Sequence, residues 1–185
     1  MFTGIIEKKS DFNIFNNKIV INNFSKEIKL GDSIALNGVC LTVDSLSESK
    51  LQFTLGEETK KITNINISKK LNIERALKFN GRLDGHIVTG HIDGMIRFLN
   101  CKKISDTYYM EFKMPKENWA IVRKGAIALN GISLTIAEKY MDSFVIQVIP
   151  HTYLNTNLFD LKMYDYVNYE IDILNRYARG EKYGY

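Results

Sequence analysis

The sequence predicts an all-β protein made of two similar antiparallel barrels followed by a short helix. The first reason is an internal repeat, since residues 34–43 (IALNGVCLTV) return as 127–136 (IALNGISLTI) with seven of ten positions identical. The second is a series of short alternating apolar segments separated by turn residues, which is typical of strands. The third is composition, because the 185 residues include two prolines and many β-branched and aromatic side chains. Repeats 93 residues apart are too widely spaced for a solenoid, so each copy is predicted to be a small domain.

Each half is predicted to contain about six short strands. Residues 12–24 alternate around Asn16-Asn17, which predicts a hairpin. The Asn-Gly pair within each copy of the repeat, Asn37-Gly38 and Asn130-Gly131, predicts a tight turn rather than a ligand contact. Further strands are predicted at 51–55 and 71–74, with counterparts at 144–149 and 167–170. The second copy has about seven additional residues, which we expect between 100 and 116.

The halves are predicted to divide at 81–85, where glycine and polar residues cluster. The predicted domains are therefore 1–84 and 85–172, followed by a tail at 173–185. Apolar residues near the tail have helical spacing, and Gly180 and Gly184 are expected to end this helix early. A helix this short is marginal alone and needs a surface to pack on.

Composition argues against several classes of protein. The net charge is +4, but basic residues are scattered rather than clustered, which is not typical of a nucleic-acid-binding face. Cys40 and Cys101 lack the C-x-x-C spacing of a zinc site and do not indicate a disulfide framework. Neither a signal-peptide pattern nor an apolar run of membrane-spanning length is apparent, so we expect a cytoplasmic location.

Four motifs together resemble the riboflavin synthase family of the α-chain, lumazine-binding type. They are MFTGII at 1–6, Asn-Gly-x-x-Leu-Thr in both copies, GHIDG at 90–94 and IPHT at 149–152. The resemblance covers essentially the whole chain, and the order and duplication of these motifs make it specific. It implies two six-stranded Greek-key barrels and a C-terminal helix, assembled as a homotrimer. The tail here is shorter than the helix of that family and is interrupted by glycine, which predicts either a weak oligomer or a monomer.

The resemblance also implies an activity. Each barrel would bind one 6,7-dimethyl-8-ribityllumazine, and four carbons would pass from one molecule to the other. The products would be riboflavin and 5-amino-6-(D-ribitylamino)uracil, with no metal or redox cofactor. The active site would form between the N-terminal barrel of one subunit and the C-terminal barrel of its neighbour. Lumazine synthase is a candidate partner.

The same resemblance implies two pockets, one for each barrel. The N-barrel pocket would consist of Gly4, Ile5, Ile6, Cys40, Leu41, Thr42, Thr54, Leu55, Gly56, Glu57, Glu58 and Thr59, with Phe2 beside its ligand. The C-barrel pocket would consist of Gly90, His91, Ile92, Lys124, Ser133, Leu134, Thr135, Val148, Ile149, Pro150, His151, Thr152 and Tyr153.

Two similar pockets suit a reaction that uses two copies of one molecule, so the chemistry is expected where the copies differ. His91 is the candidate base for the acidic 7-methyl group of lumazine. Ser133, a threonine hydroxyl or water is the candidate nucleophile. Cys40 and Lys124 are the other catalytic candidates, although Cys40 would also suit a small buried apolar site and Lys124 a solvated strand end. His86 and His151 are each open between a structural and a functional role.

Two other functions remain open from the sequence. A non-catalytic lumazine- or flavin-binding protein of the same fold would bind one ligand per chain, whereas the enzyme would bind two. A barrel that binds single-stranded nucleic acid would show strongly salt-dependent binding, which the charge pattern does not predict.

Overall fold

The computed structural model describes residues 1–180 and divides them between two antiparallel β-barrels and a terminal helix. The strands of the first half are β1 (Lys8–Ser10), β2 (Phe12–Phe15), β3 (Lys18–Asn22), β4 (Ser33–Leu36), β5 (Val39–Leu46), β6 (Lys50–Thr54) and β7 (Leu71–Arg75). Those of the second half are β8 (Gly94–Ile104), β9 (Thr107–Lys113), β10 (Ala126–Leu129), β11 (Ile132–Lys139), β12 (Ser143–Val148) and β13 (Tyr166–Ile171). The helices are α1 (Glu57–Ile62), α2 (Pro150–Asn155) and α3 (Ile173–Ala178), and 3₁₀ turns occupy Asn64–Asn66, Asn118–Ala120 and Asn157–Asp160. No helix among these residues is long and apolar enough to cross a membrane.

The two halves have the same strand order. The second half is a closed barrel in the order β10-β11-β12-β9-β8-β13. The first half is a sheet in the order β1-β7-β4-β5-β6-β3-β2, and its end strands are consecutive in the chain, separated only by Asp11. If β1 and β2 are counted as one bent strand, they correspond to β8 of the second half. Strand β8 is also irregular, because its pairing register with β9 shifts between Phe98 and Asn100. The predicted fold of two six-stranded barrels is therefore confirmed.

The repeated motif forms the β4–β5 hairpin in one barrel and the β10–β11 hairpin in the other. Its Asn-Gly turns have positive φ at both residues, 49° and 81° at Asn37-Gly38 and 46° and 78° at Asn130-Gly131, which confirms the predicted turns. The additional residues of the second copy lie in the longer β8–β9 hairpin and in the segment 114–125 that follows it. The domain bounds 1–84 and 85–172 remain predictions.

Alternation along the motif divides its side chains between the core and the outer face. Leu41 and Leu134 point into their barrels and are 7% and 6% exposed. The neighbouring threonines Thr42 and Thr135 are exposed on the outer face, where a ligand can reach them.

The barrels meet through a buried network of six asparagines: Asn37, Asn64, Asn72, Asn130, Asn157 and Asn168. The bonds come in equivalent pairs. The Asn157 side chain donates to Asn37 Oδ1 over 2.9 Å, and the Asn64 side chain donates to Asn130 Oδ1 over 2.9 Å. Likewise, Asn168 donates to the carbonyl of Asn37 and Asn72 donates to that of Asn130. The network therefore joins the two motif turns across an approximate two-fold axis.

The tail packs on the second barrel. Asp172 caps α3 by accepting from the Leu174 N–H over 3.0 Å, and Arg176 pairs with Asp93. Leu174 and Tyr177 are 62% and 76% exposed, so the apolar side of this helix faces solvent. Gly180 has φ of 64° just after the helix, whereas Gly184 lies outside the described residues.

Candidate functional site

The opening segments of the two copies pair with each other between the barrels. The Phe2 N–H donates to the Val88 carbonyl over 2.7 Å, and the Val88 N–H donates back over 3.1 Å. The His86 N–H extends this pairing to the carbonyl of Thr3 over 3.1 Å. The Phe2 side chain is 0% exposed and packs with Val88 and the motif alanines of both barrels. Phe2 is thus buried at the junction of the two barrels, and its place beside a bound ring stays a prediction.

Beyond this pairing, each segment crosses to the motif of the other barrel. The Ser133 N–H donates to the Gly4 carbonyl over 2.8 Å, and Ile6 packs against the core of the second barrel. The Cys40 N–H donates to the Gly90 carbonyl over 3.0 Å, and Ile92 packs against the core of the first barrel. The resemblance implies that residues 4–6 lie beside Cys40 and residues 90–92 beside Ser133. In the structure the crossing segments lie the other way round, with Gly4 at Ser133 and Gly90 at Cys40.

Both crossings require glycine. A Cβ on Gly4 would lie 2.5 Å from the Ser133 backbone nitrogen, and a Cβ on Gly90 would lie 2.5 Å from the Cβ of Cys40. The φ angles of 79° and 84° also favour glycine at the two positions. The Thr-Gly pair thus permits close approach of the segment to the motif strand.

A buried carboxylate holds each Thr-Gly pair. Glu74 of β7 accepts from the N–H and hydroxyl of Thr3 over 2.7 and 2.9 Å, and from the Gly4 N–H over 3.0 Å. Glu170 of β13 accepts the equivalent three bonds from Thr89 and Gly90, over 2.7, 2.7 and 3.0 Å. Burial raises the pKa of both carboxyl groups, while the three hydrogen bonds oppose that rise. Neither glutamate stands out in the sequence, because each occupies an ordinary position in a predicted strand.

The second motif has a histidine beside its hydroxyl. The Nδ1 atom of His86 lies 2.7 Å from Ser133 Oγ, and its Nε2 atom is buried without a hydrogen-bond partner. Burial lowers the pKa of His86, although the carboxylate of Asp172 opposes the effect. Burial therefore favours the neutral imidazole, whose Nδ1 atom, when the ring proton is on Nε2, can accept a proton from the serine hydroxyl. From the sequence the role of His86 is open, because no local pattern indicates that it lies close to Ser133.

The first motif has different chemistry nearby. His91 follows Gly90, so it belongs to the segment that crosses to Cys40 and not to the one that reaches Ser133. Its N–H donates to Thr89 Oγ1 over 3.3 Å, and its side chain is exposed. Cys40 is half-buried and contacts the small cluster around Phe2. The two motifs are thus alike in backbone and different in functional groups.

Most of the remaining predicted pocket residues lie at equivalent places in the two barrels, where β6 leads into α1 and where β12 leads into α2. Leu55 and Val148 are buried in the barrel cores, so only their backbone is available to a ligand. Glu58 and His151 are exposed in the first turns of the two helices. The exposed residues along these edges are Thr54, Gly56, Glu57, Glu58, Ile149 and His151, and the half-buried ones are Thr59, Pro150, Thr152 and Tyr153.

Lys124 lies away from this arrangement, in the exposed turn before β10. Its backbone N–H donates to the Ile136 carbonyl over 2.8 Å, and its φ is 65°. Gly31 makes the same bond to Val43 in the first copy, so Lys124 occupies an equivalent turn position. Within residues 1–180 the structure does not bring its side chain to Ser133 by a hydrogen bond, and its catalytic role stays a prediction.

The chain is also similar in sequence to a known family and to known proteins. The family described as "Lumazine binding domain" matches residues 3–76 and 89–172. Riboflavin synthase of Actinobacillus pleuropneumoniae is 39% identical over 190 residues, covering 96% of this chain and 87% of that protein. Riboflavin synthase of Bacillus subtilis (strain 168) is 36% identical over 188 residues, with the same coverage.

Solved structures with a similar fold include LumP complexed with 6,7-dimethyl-8-(1'-D-ribityl) lumazine. Its TM-score is 0.78 at 24% identity, covering 92% of this chain and 98% of that one. LumP complexed with riboflavin has a TM-score of 0.80 at 24% identity, covering 92% and 99% of the two chains. At this identity the likeness establishes the two-barrel fold and no more.

Proposed function

We propose that this chain, which belongs to the lumazine-binding domain family, catalyses riboflavin synthesis, the activity for which its relatives are named. It acts on two molecules of 6,7-dimethyl-8-ribityllumazine. Four carbons pass from one molecule to the other, and the products are riboflavin and 5-amino-6-(D-ribitylamino)uracil. The observation that carries the proposal is the pair of equivalent motifs, each on the outer face of a barrel and each completed by a crossing Thr-Gly segment.

The differences between the motifs support unequal roles for the two bound molecules. In our proposal, Ser133 adds to the ring bound at the second barrel, and the neutral imidazole of His86 accepts its proton. His91, exposed beside the first motif, removes a proton from the 7-methyl group of the ring bound there. The carbanion that forms is delocalised into the ring, which makes this proton acidic enough for a side-chain base to remove.

Bond formation between the rings requires that the two sites face each other. The motifs lie on outer faces of one chain, and their threonines Thr42 and Thr135 are exposed. We therefore propose a homotrimer in which the first barrel of one subunit faces the second barrel of its neighbour. Holding two rings in register in this way can contribute about 7–11 kcal/mol to lowering the barrier. A cytoplasmic location and an association with lumazine synthase remain predictions from the sequence.

The direct test is incubation of the full chain with 6,7-dimethyl-8-ribityllumazine alone, with riboflavin measured by chromatography. We expect riboflavin without added metal or nucleotide, and loss of most activity in His91→Ala. Deleting residues 1–2 should have a similar effect, because it removes the Phe2–Val88 pairing that precedes the crossing. Lys113→Ala, an exposed change at the end of β9, is the matched control and should retain activity.

The outcome also separates the enzyme from a binding protein of the same fold. Two lumazine molecules bound per chain without any riboflavin would contradict the catalytic proposal. One molecule bound per chain without riboflavin would favour the binding protein.

A further inference from the structure

We propose that Glu74 and Glu170 are positioning residues, each of which acts on the motif of the barrel to which it does not belong. The catalytic consequence of this inference depends on the proposed function, whereas the geometric part does not. Each carboxylate belongs to the last strand of its own barrel, yet the Thr-Gly pair that it holds lies against the other barrel.

The connection from Glu170 runs through one residue. Its two carboxylate oxygens take the N–H and hydroxyl of Thr89 and the N–H of Gly90. The carbonyl of the same Gly90 accepts the Cys40 N–H over 3.0 Å, and His91 is the next residue. Because the bonds lie on both sides of Gly90, they fix the backbone from which His91 projects beside the first motif.

The connection from Glu74 is equivalent. It takes the N–H and hydroxyl of Thr3 and the N–H of Gly4, whose carbonyl accepts the Ser133 N–H over 2.8 Å. The carbonyl of Thr3 also accepts the His86 N–H, so this carboxylate supports the backbone on both sides of the His86–Ser133 contact.

A carboxylate suits this task better than a neutral side chain. It presents two acceptor oxygens and no donor, which matches three converging N–H and O–H groups. Glu74 and Glu170 are 4% and 3% exposed, and neither has an ion pair within residues 1–180. Burying a charge in this way is costly unless the hydrogen bonds compensate for lost solvation. Because this costly buried carboxylate occurs in both barrels, its role is to hold the Thr-Gly segment in place and not only to stabilise the fold.

The crossed geometry gives a test that does not need substrate. In Glu170→Gln the amide NH₂ faces a backbone N–H, so one of the three bonds is lost with little change of shape. Amide hydrogen exchange, measured by NMR on the free protein, should become about tenfold faster at Cys40 and stay unchanged at Ser133. Glu74→Gln should give the reverse pattern. Glu111→Gln, which changes a β9 carboxylate bonded to Ser143, should alter neither amide.

Activity provides the second measurement. Riboflavin formation should fall about a hundredfold in each glutamine variant, because a small displacement of a reacting group is enough to cause such a loss. If either variant fails to fold, Thr89→Val and Thr3→Val remove one donor each and should show the same crossed exchange pattern at smaller size.

The outcomes are distinguishable. The positioning role would be overturned if a glutamine variant accelerated exchange at both amides or at neither. It would also be overturned if exchange accelerated only at the amide of the barrel that contains the substituted residue. A crossed exchange pattern in a protein that makes no riboflavin would leave the geometry standing and overturn the proposed function. Riboflavin formation that is unchanged in both folded glutamine variants would remove the catalytic consequence.

Discussion

The residues that differ between the two motifs lie in different chemical surroundings. Ser133 has the half-buried imidazole of His86 within hydrogen-bond distance, while Cys40 has an exposed histidine, His91, nearby. Since the backbones of the two motifs are alike, the chemical asymmetry required by a donor and an acceptor resides in these few side chains.

The first prediction concerns the contact between His86 and Ser133. We expect His86→Gln and Ser133→Ala each to lower riboflavin formation about a hundredfold, because each removes one partner of a proton transfer. Residues that act as a unit are not additive, so the double variant should lose little more than either single variant. Steady-state kinetics of the three variants measure this, and strictly multiplicative losses would show that the two side chains act separately.

The second prediction is a pH dependence of stability that arises from His86. Its pKa in the folded chain is lowered by burial, so between that value and the ordinary 6.5 the unfolded chain binds more protons. The free energy of unfolding should therefore fall as pH drops below about 6.5. Urea unfolding at a series of pH values should show a smaller fall for His86→Gln than for the unchanged chain. Equal slopes for the two proteins would contradict the burial of a neutral imidazole.

At the scale of elements, the strands follow from local pattern, whereas their partners across the molecule do not. The alternation around Asn37-Gly38 and Asn130-Gly131 predicts both motif hairpins, because strand period and turn chemistry act over a few residues. The crossing of Gly4 to Ser133 could not be predicted in this way. Gly4 and Gly90 occupy equivalent positions in the repeat, and no local feature of the sequence indicates which motif each segment meets.

The same reasoning explains why three residues of the site were missed or left open. Glu74 and Glu170 fall inside predicted strands, and only the buried N–H groups that meet them in the structure indicate their function. His86 lies 47 residues from Ser133, and the contact between them depends on the path of the chain between the two barrels. In contrast, His91 and Cys40 are predicted from the sequence because they are positions at which two otherwise similar copies differ.

The third prediction concerns the asparagine network between the barrels. Asn157→Ala removes the partner of Asn37, Asn72 and Asn130 and leaves buried polar groups unsatisfied. We expect a loss of about 3 kcal/mol in the free energy of unfolding. Asn155→Ala, two residues earlier in the exposed part of α2, is the control and should cost much less. Urea unfolding measures the loss of free energy in each variant, and equal losses would show that the network contributes little to stability.

At the scale of the whole molecule, each barrel depends on the other. The first segment completes the second motif, the second segment completes the first motif, and the asparagines join the turns between them. A single barrel would therefore lack the backbone that crosses to its motif. This interdependence explains why a duplicated chain keeps both copies even though their functional side chains have diverged.

The fourth prediction concerns assembly through the tail. Leu174 and Tyr177 expose apolar surface on α3, which a neighbouring subunit would cover in the proposed homotrimer. Leu174→Glu with Tyr177→Glu should shift the mass measured by light scattering from trimer to monomer. Lumazine binding should persist, and riboflavin formation should be lost because the two sites no longer face each other. A monomer that keeps full activity would contradict an active site shared between subunits.

The most direct test of the account is the stoichiometry of the reaction. The full chain is supplied with 6,7-dimethyl-8-ribityllumazine as the only organic substrate, and both products are quantified by chromatography over time. Two sites that hold two copies of one molecule predict two lumazines consumed for each riboflavin formed, with one 5-amino-6-(D-ribitylamino)uracil released. One lumazine consumed for each riboflavin, or riboflavin formed only when a second four-carbon donor is added, would contradict it.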